Sequence, residues 1–318
     1  MHSRFDGWPE TNDAKWFQRK DGFELPEIYW QEFIGEYRPM WDFWQREFLT
    51  FDPSPRFLYG AQGAPGYRED FQQPQPAVGV RIHPGEPRAM ILVCAGGGFM
   101  WKACYEGTVV AERFYDEGFN VAALDYRVNP YSQKAAQQDA IRAVRYLRYH
   151  AKVLNTLPDK IGMMGFSAGA MLTGWCATKF DQGNPEAADP VERCSSRPDA
   201  AVLCYGAGSW LPVSKGLLGY DRARFAKYAE DAIERNVTPA CPPFFIWQCA
   251  GMDDPRNATQ LTDVLTACGV PFELHIFPYG AHGTALSNEM HPSESANDPH
   301  VARWVDLCCE WLRRYQHF

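Results

Sequence analysis

One short segment places a serine in the backbone pattern that a serine nucleophile requires. An apolar run at residues 160–164 predicts a strand, and the motif Gly165-x-Ser167-x-Gly169 follows it, leading into a helix predicted over Ala168–Lys179. A serine hydroxyl attacks a carbonyl carbon only if a base removes its proton, so it must stand on a sharp, exposed turn. The glycines leave room for that turn. A serine in an ordinary strand-to-helix turn is the alternative, but this context favours Ser167 as a catalytic nucleophile.

A run of three glycines follows a second apolar strand, predicted over Met90–Cys94. Without side chains, the N–H groups of such a run can turn into a cavity at the carboxyl end of the strand, where an oxyanion hole is needed. We predict the N–H groups of Gly97 and Gly98 as oxyanion donors, with that of Ala168 at a helix start as the third. A phosphate-binding loop is the alternative, but neither G-x-G-x-x-G nor G-x-x-x-x-G-K-[ST] is present.

Among eight histidines, His282 has the setting expected of a general base. It lies in a glycine-flanked loop just after the apolar strand predicted over Phe272–Phe277, so it is free to reach the serine. The chain order of serine, aspartate and histidine agrees with this assignment. His275 lies inside the strand and is expected to pack within the sheet.

The acid that orients the histidine should follow a strand that lies between the serine and the histidine in the chain. The strand predicted over Phe244–Cys249 precedes a loop with two adjacent carboxylates, Asp253 and Asp254. We favour Asp254, because the ring of the next residue, Pro255, biases it toward extended backbone in a loop. Asp253 is the alternative catalytic acid. If the loop has no catalytic role, the two aspartates belong to a charged surface loop.

The elements that must position these residues form an alternating pattern from residue 77 onward. Buried strands separated by helices of ten or more residues imply a mostly parallel sheet with helices on both faces. The strands are predicted at Val78–His83, Met90–Cys94, Val121–Leu124, Lys160–Met164, Ala200–Cys204, Phe244–Cys249 and Phe272–Phe277. The helices are predicted at Tyr105–Gly118, Ser132–Ala151, Ala168–Lys179, Ala226–Arg235, Arg256–Cys268 and His300–Tyr315.

The first 60 residues differ from the rest of the chain. They hold five of the eleven tryptophans, and Pro26–Phe33 and Pro39–Phe48 predict two short amphipathic helices. A disordered tail would be poor in aromatic residues, so we expect this segment to be ordered. We therefore divide the chain into an N-terminal extension at residues 1–60 and a catalytic domain at residues 61–318. The extension is expected to act as a lid over the site, as the arm of a homodimer, or as a simple continuation of the core.

Composition excludes several classes of function. The 318 residues carry a net charge of −8 without a basic cluster, which argues against nucleic acid and anionic membranes as partners. No apolar leader or 18-residue apolar stretch is evident, so we expect a cytoplasmic protein. The ten cysteines lack a C-x-x-C spacing and fall in apolar strands and helices, which favours reduced, buried thiols over disulfides or a zinc site. No metal or organic cofactor is expected.

As an ensemble, the motifs resemble the acetyl-xylan esterase and feruloyl-esterase-like branch of α/β-hydrolases, which is close to the hormone-sensitive-lipase-like esterases. The resemblance covers about residues 77–316. Its one departure is Ala95, where the glycine run is usually preceded by a histidine that transfers no proton. The residues that carry it are Gly96-Gly97-Gly98-Phe99, Tyr105-Glu106-Gly107, Leu124-Asp125-Tyr126-Arg127-Val128, Asp139 with Ala143–Arg148, Gly165–Gly169, Pro242–Phe245, Asp254-Pro255, Glu273–Phe277 and Gly280–Gly283.

This resemblance implies an α/β-hydrolase fold and hydrolysis of small carboxylic esters, often acetyl groups on plant-wall sugars. We expect a serine esterase that removes O-acetyl groups from xylo-oligosaccharides or other short sugars. A feruloyl or other small-ester hydrolase is the next alternative, followed by a peptidase or arylformamidase on the same scaffold. The alternative from a different class of function is a protein that binds a ligand and catalyses no reaction.

The sequence allows two interpretations of several conspicuous side chains. Trp101 and Trp210, together with Phe99, are candidates for the lining of the substrate pocket, and core packing is the alternative for the two tryptophans. Glu106 and Asp139 are expected to be structural.

Overall fold

A computed structural model describes residue 5 and residues 7–206 and 230–318. Eight strands form one sheet in the spatial order β1-β2-β4-β3-β5-β6-β7-β8. Strand β2 pairs antiparallel with both of its neighbours, β1 and β4, and all other neighbouring strands pair parallel. In chain order, the strands are β1 (Arg56–Phe57), β2 (Ala77–Arg81), β3 (Arg88–Cys94), β4 (Asn120–Asp125), β5 (Thr156–Phe166), β6 (Ala200–Cys204), β7 (Phe244–Cys249) and β8 (Phe272–Phe277).

Helices connect and cover these strands. In the described residues they are α1 (Asp13–Arg19), α2 (Trp30–Phe51), α3 (Thr108–Asp116), α4 (Gln133–Tyr149), α5 (Ala168–Thr178), α6 (Arg256–Ala267), α7 (Pro299–Ala302) and α8 (Trp304–Tyr315). The predicted alternation of strands and helices from residue 77 onward is therefore confirmed. No helix of this part of the chain is long and apolar enough to cross a membrane.

The register of the parallel strands brings their carboxyl ends to one level. Cys94 at the end of β3 pairs with Gly165 of β5, and Phe166 pairs with Cys204 at the end of β6. On the far side, Cys249 of β7 pairs with Phe277 of β8. The loops that leave β3, β5, β7 and β8 consequently all begin at the carboxyl end of the sheet.

Helix α2 corrects the prediction of two separate helices in the N-terminal segment. It runs unbroken for 22 residues and contains Pro39. An interior proline lacks one N–H donor and costs about 3 kcal/mol. Burial of each large apolar side chain contributes about 1.5–3 kcal/mol, so a continuous buried face outweighs that cost. The buried apolar residues of α2 extend on both sides of the proline: Phe33, Ile34, Tyr37, Met40, Trp41, Phe43, Trp44, Phe48 and Phe51.

The N-terminal segment packs within the same cores as the sheet. Trp44 and Phe48 share a buried cluster with Val93 of β3. On the other face of the sheet, Trp16 and Phe33 share a cluster with residues of β3 and β4. The packing therefore does not divide at residue 60. A role for the segment as a lid or a dimer arm stays a prediction.

Two predicted helices differ in the structure. The helix predicted over Ala226–Arg235 lies partly outside the described residues, and its described end, Ile233–Arg235, is a 3-10 turn. The segment predicted as one helix from His300 to Tyr315 is divided at Arg303 into α7 and α8.

Candidate active site

Ser167 stands on a strained turn between β5 and α5. Its backbone has φ of 50° and ψ of −116°, a conformation that non-glycine residues rarely adopt and that costs on the order of 1–3 kcal/mol. The turn tolerates no side chain beside it, because a Cβ on Gly165 would lie 2.0 Å from the carbonyl oxygen of Gly169. The Ser167 N–H donates to the carbonyl of Cys204 on β6 at 3.0 Å, which fixes the turn to the sheet.

The glycine run lies directly against this turn. A Cβ on Gly96 would lie 2.9 Å from Cβ of Ser167. The carbonyl of Gly97 accepts from the N–H groups of Met100 and Trp101 at 2.9 and 3.2 Å, and this orients the peptide that carries the Gly98 N–H. Within the described part of the chain, the N–H groups of Gly97, Gly98 and Ala168 donate to no protein acceptor. Such donors beside a nucleophile can stabilise an oxyanion.

The loop after β8 brings His282 to the serine. Its Nε2 lies 2.8 Å from Oγ of Ser167. On the other side of the ring, Nδ1 lies 2.8 Å from Oδ1 of Asp253, which is buried. A serine hydroxyl, an imidazole and a carboxylate in this order can move a proton off the hydroxyl.

The predicted orienting acid needs correction, because the carboxylate of Asp254 does not contact the histidine. Instead it accepts from the N–H and Nε of Arg256 at 3.0 and 2.9 Å. These bonds hold the first turn of α6, whereas the neighbouring Asp253 faces His282. Pro255 biases the backbone of residue 254, and backbone bias does not determine which of two adjacent side chains faces the imidazole.

The electrostatic setting of His282 favours its charged form. Burial by itself disfavours the imidazolium, but the hydrogen bond to Asp253, the charge of that carboxylate and the charge of Glu106 outweigh it. Together they raise the pKa of His282 above the ordinary histidine value. A base with a raised pKa holds the proton of a serine hydroxyl more firmly during attack.

The side chains expected to line a pocket are packed against the N-terminal segment. Phe99 is 2 % exposed and its ring lies 5.8 Å from that of Phe23. Trp101 is 8 % exposed, lies 5.5 Å from the ring of Trp8, and donates through Nε1 to Asp13 at 3.2 Å. Core packing therefore accounts for both residues. Trp210 lies outside the described residues.

Lys20, which the sequence analysis did not single out, contacts the glycine run from the N-terminal segment. It is buried, and its Nζ donates to the carbonyl of Gly98 at 2.9 Å. A Cβ on Gly98 would lie 2.5 Å from the ring of Phe17, so α1 covers the loop closely. The segment therefore supports the loop that carries two of the predicted oxyanion donors.

We expect Lys20→Met to lower kcat about tenfold on every ester tested, because the loop loses a charged hydrogen bond that orients it. The matched control is Lys15→Met, since Lys15 in α1 pairs with Glu32 and Glu36 of α2. Steady-state kinetics on p-nitrophenyl acetate and on an acetylated xylo-oligosaccharide measure the effect. A loss confined to the oligosaccharide would contradict support of the loop and favour a lid.

Comparisons with known proteins agree with this architecture. A family model described as BD-FAE matches residues 82–208. The structure of an acetyl ester-xyloside bifunctional hydrolase from Caldicellulosiruptor lactoaceticus is 33% identical with a TM-score of 0.71, covering 82% of this chain and 96% of that one. Endo-1,4-beta-xylanase B of Butyrivibrio fibrisolvens is 32% identical over 64% of this chain, and acetylxylan esterase of Xylanibacter ruminicola is 27% identical over 62%. The matches span 33% and 41% of those two relatives, less than half of their length.

The strand order, the turn at Ser167 and these likenesses define the chain as an α/β-hydrolase. Within that class, the chain belongs to one family with the acetyl ester-xyloside bifunctional hydrolase from Caldicellulosiruptor lactoaceticus, and its residues 82–208 match the BD-FAE domain. The family resemblance drawn from the motifs is confirmed.

Proposed function

We propose that this chain is a serine esterase that hydrolyses small carboxylic esters through an acyl-enzyme. The observation that carries the proposal is the hydrogen-bonded series of Ser167, His282 and Asp253 beside the glycine run, with 2.8 Å at each step. A fluorophosphonate probe tests it directly. We expect covalent labelling of Ser167, and a binding protein without catalysis would remain unlabelled.

In the proposed mechanism, Oγ of Ser167 attacks the ester carbonyl carbon while Nε2 of His282 takes the hydroxyl proton. The carboxylate of Asp253 holds the imidazole in the required tautomer and stabilises its cationic form. The N–H groups of Gly97, Gly98 and Ala168 stabilise the oxyanion of the tetrahedral intermediate. His282 then donates the proton to the leaving alcohol. Water hydrolyses the acyl-enzyme by the same steps in reverse, with His282 as the base.

We infer that the acyl group is acetyl and that the alcohol is a short sugar, such as a xylo-oligosaccharide. Two of the relatives support this, since one is described as an acetylxylan esterase and the other as an acetyl ester-xyloside bifunctional hydrolase. The endo-xylanase supports no glycosidase proposal here, because the match spans only 33% of that protein. A feruloyl or other small-ester hydrolase is the alternative substrate class.

The expected selectivity is for short acyl groups. We expect kcat/KM for p-nitrophenyl esters to fall on the order of tenfold or more from acetate to octanoate. The reason is that Phe99 and Trp101, which directly follow the glycine run in the chain, are bulky and buried, so we expect little room beside that run for a long acyl chain. Release of acetate from acetylated xylo-oligosaccharides and of ferulate from methyl ferulate should be measured in parallel. A preference for octanoate would defeat the acetyl assignment, and a preference for methyl ferulate would favour the alternative.

A further inference from the structure

Glu106 is a second buried carboxylate at the site. It lies in the turn Cys104–Glu106, which precedes α3, and is 2 % exposed. A Cβ on Gly283, the residue after His282, would lie 3.8 Å from its Oε1. This carboxylate is therefore next to the histidine loop, although the mechanism above does not use it.

The hydrogen bonds of Glu106 join three parts of the site. Its Oε2 accepts from the N–H of Gly96 at 2.9 Å, at the start of the glycine run. Its Oε1 accepts from the hydroxyl of Tyr205 at 2.8 Å, and that hydroxyl accepts from the N–H of Ala285 at 3.0 Å. The Tyr205 ring also lies 5.1 Å from the His282 ring. The network therefore links the glycine run, the end of β6 and the histidine loop.

The donors around Glu106 match its charged form. Each carboxylate oxygen accepts a hydrogen bond from a donor, whereas a protonated carboxyl would present a hydrogen to one of them. Burial raises the pKa of Glu106 above the ordinary glutamate value, and this rise is offset only in part by the hydrogen bond from Tyr205, the charge of His282 and the Gly96 N–H. A charged His282 and a charged Glu106 therefore stabilise each other.

Resting on the proposed esterase function, we propose that Glu106 is a positioning residue whose negative charge supports the imidazolium of His282 while its hydrogen bonds hold the glycine run. In the described residues, the imidazole contacts Ser167, Asp253 after β7 and the ring of Tyr205 after β6, and the charge of Glu106 before α3 also acts on it. His291 donates through Nε2 to the carbonyl of Gly283 at 3.0 Å. Burial lowers the pKa of His291, outweighing its contacts with the Ser293 and Gly283 backbone, so it adds no charge at neutral pH.

The test is the titration of His282 in the Glu106→Gln variant, followed by NMR of ¹⁵N-histidine-labelled full-length protein. Removal of the charge disfavours the imidazolium, so the pKa of His282 should fall by about one pH unit. The acid limb of kcat/KM on p-nitrophenyl acetate should move the same distance toward low pH, because the base is then neutral at lower pH. We also expect kcat on the plateau to fall about tenfold.

Glu106→Asp is the matched control, because it keeps the charge and shortens the side chain. We expect its acid limb to stay near the wild-type position even if kcat falls. Equal losses of rate in both variants, with unmoved titrations, would reduce Glu106 to a structural role and overturn the proposal. If the wild type hydrolyses no ester, the esterase proposal fails by itself, and the NMR titration still decides the effect of Glu106 on His282.

If Glu106→Gln does not fold, Tyr205→Phe replaces it. Loss of the hydroxyl donor disfavours the charged form of Glu106, which weakens its effect on His282. The titration of His282 should then move in the same direction by a smaller amount. An unchanged titration in a folded Tyr205→Phe protein would also contradict the proposal.

Discussion

Ser167→Ala is expected to abolish ester hydrolysis while leaving the protein folded. The substitution removes only the hydroxyl that lies 2.8 Å from His282, and alanine occupies the same strained turn at similar cost. Loss of a serine nucleophile in such sites lowers kcat on the order of 10³–10⁶-fold. Initial rates on p-nitrophenyl acetate and labelling by a fluorophosphonate measure the loss, and circular dichroism checks the fold.

The matched control for this prediction is Ser195→Ala. The Ser195 hydroxyl donates to the carbonyl of Asp181 at 3.1 Å, away from the site. Its rate and its probe labelling should equal those of the wild type. If Ser167→Ala kept more than about a tenth of the wild-type rate, the nucleophile would be misassigned.

Asp253→Asn is expected to lower kcat on the order of 10³–10⁴-fold, in line with loss of the orienting carboxylate in serine hydrolases. An asparagine amide presents either a donor or a neutral acceptor to Nδ1 of His282, so it neither secures the tautomer nor stabilises the imidazolium. Burial lowers the pKa of His282 and the charge of Asp253 raises it. Removal of that charge should therefore also lower the pKa of His282. Steady-state kinetics across pH measure both effects.

The adjacent residue provides the sharpest control for that result. Asp254→Asn keeps the contact between Asp253 and His282 and loses the ion pair with Arg256 at the start of α6. We expect a much smaller loss of kcat, with lower thermal stability as the main effect. The reverse ranking would return the orienting role to Asp254, and small losses in both variants would remove this loop from the mechanism.

Local sequence determined the parts of the site that depend on backbone geometry. The turn at Ser167 needs glycine on both sides, and a close approach of this kind leaves a readable motif. The glycine run and His282 were likewise recognisable, since each directly follows an apolar strand. The alternation of strands and helices predicted the sheet because buried parallel strands require apolar residues at consecutive positions.

Packing across the chain decided the rest. Pro39 marks a break by local preference, yet the buried aromatic face of α2 continues through it. The choice between Asp253 and Asp254 depends on which side chain faces the imidazole and which faces Arg256, and adjacent residues in a loop carry no periodic signal for that.

The roles of Lys20 and Glu106 also depend on packing, and their partners are much farther away in the chain. Lys20 lies 78 residues before the carbonyl that it contacts, and Glu106 lies 99 residues before Tyr205. A buried charged residue looks like a surface one in a single sequence, because its partners are defined by the fold. The sequence by itself therefore determined the fold class and led to the proposed nucleophile and base. Only the tertiary structure decided which distant side chains orient them, since hydrogen-bond partners are chosen by proximity in space and not along the chain.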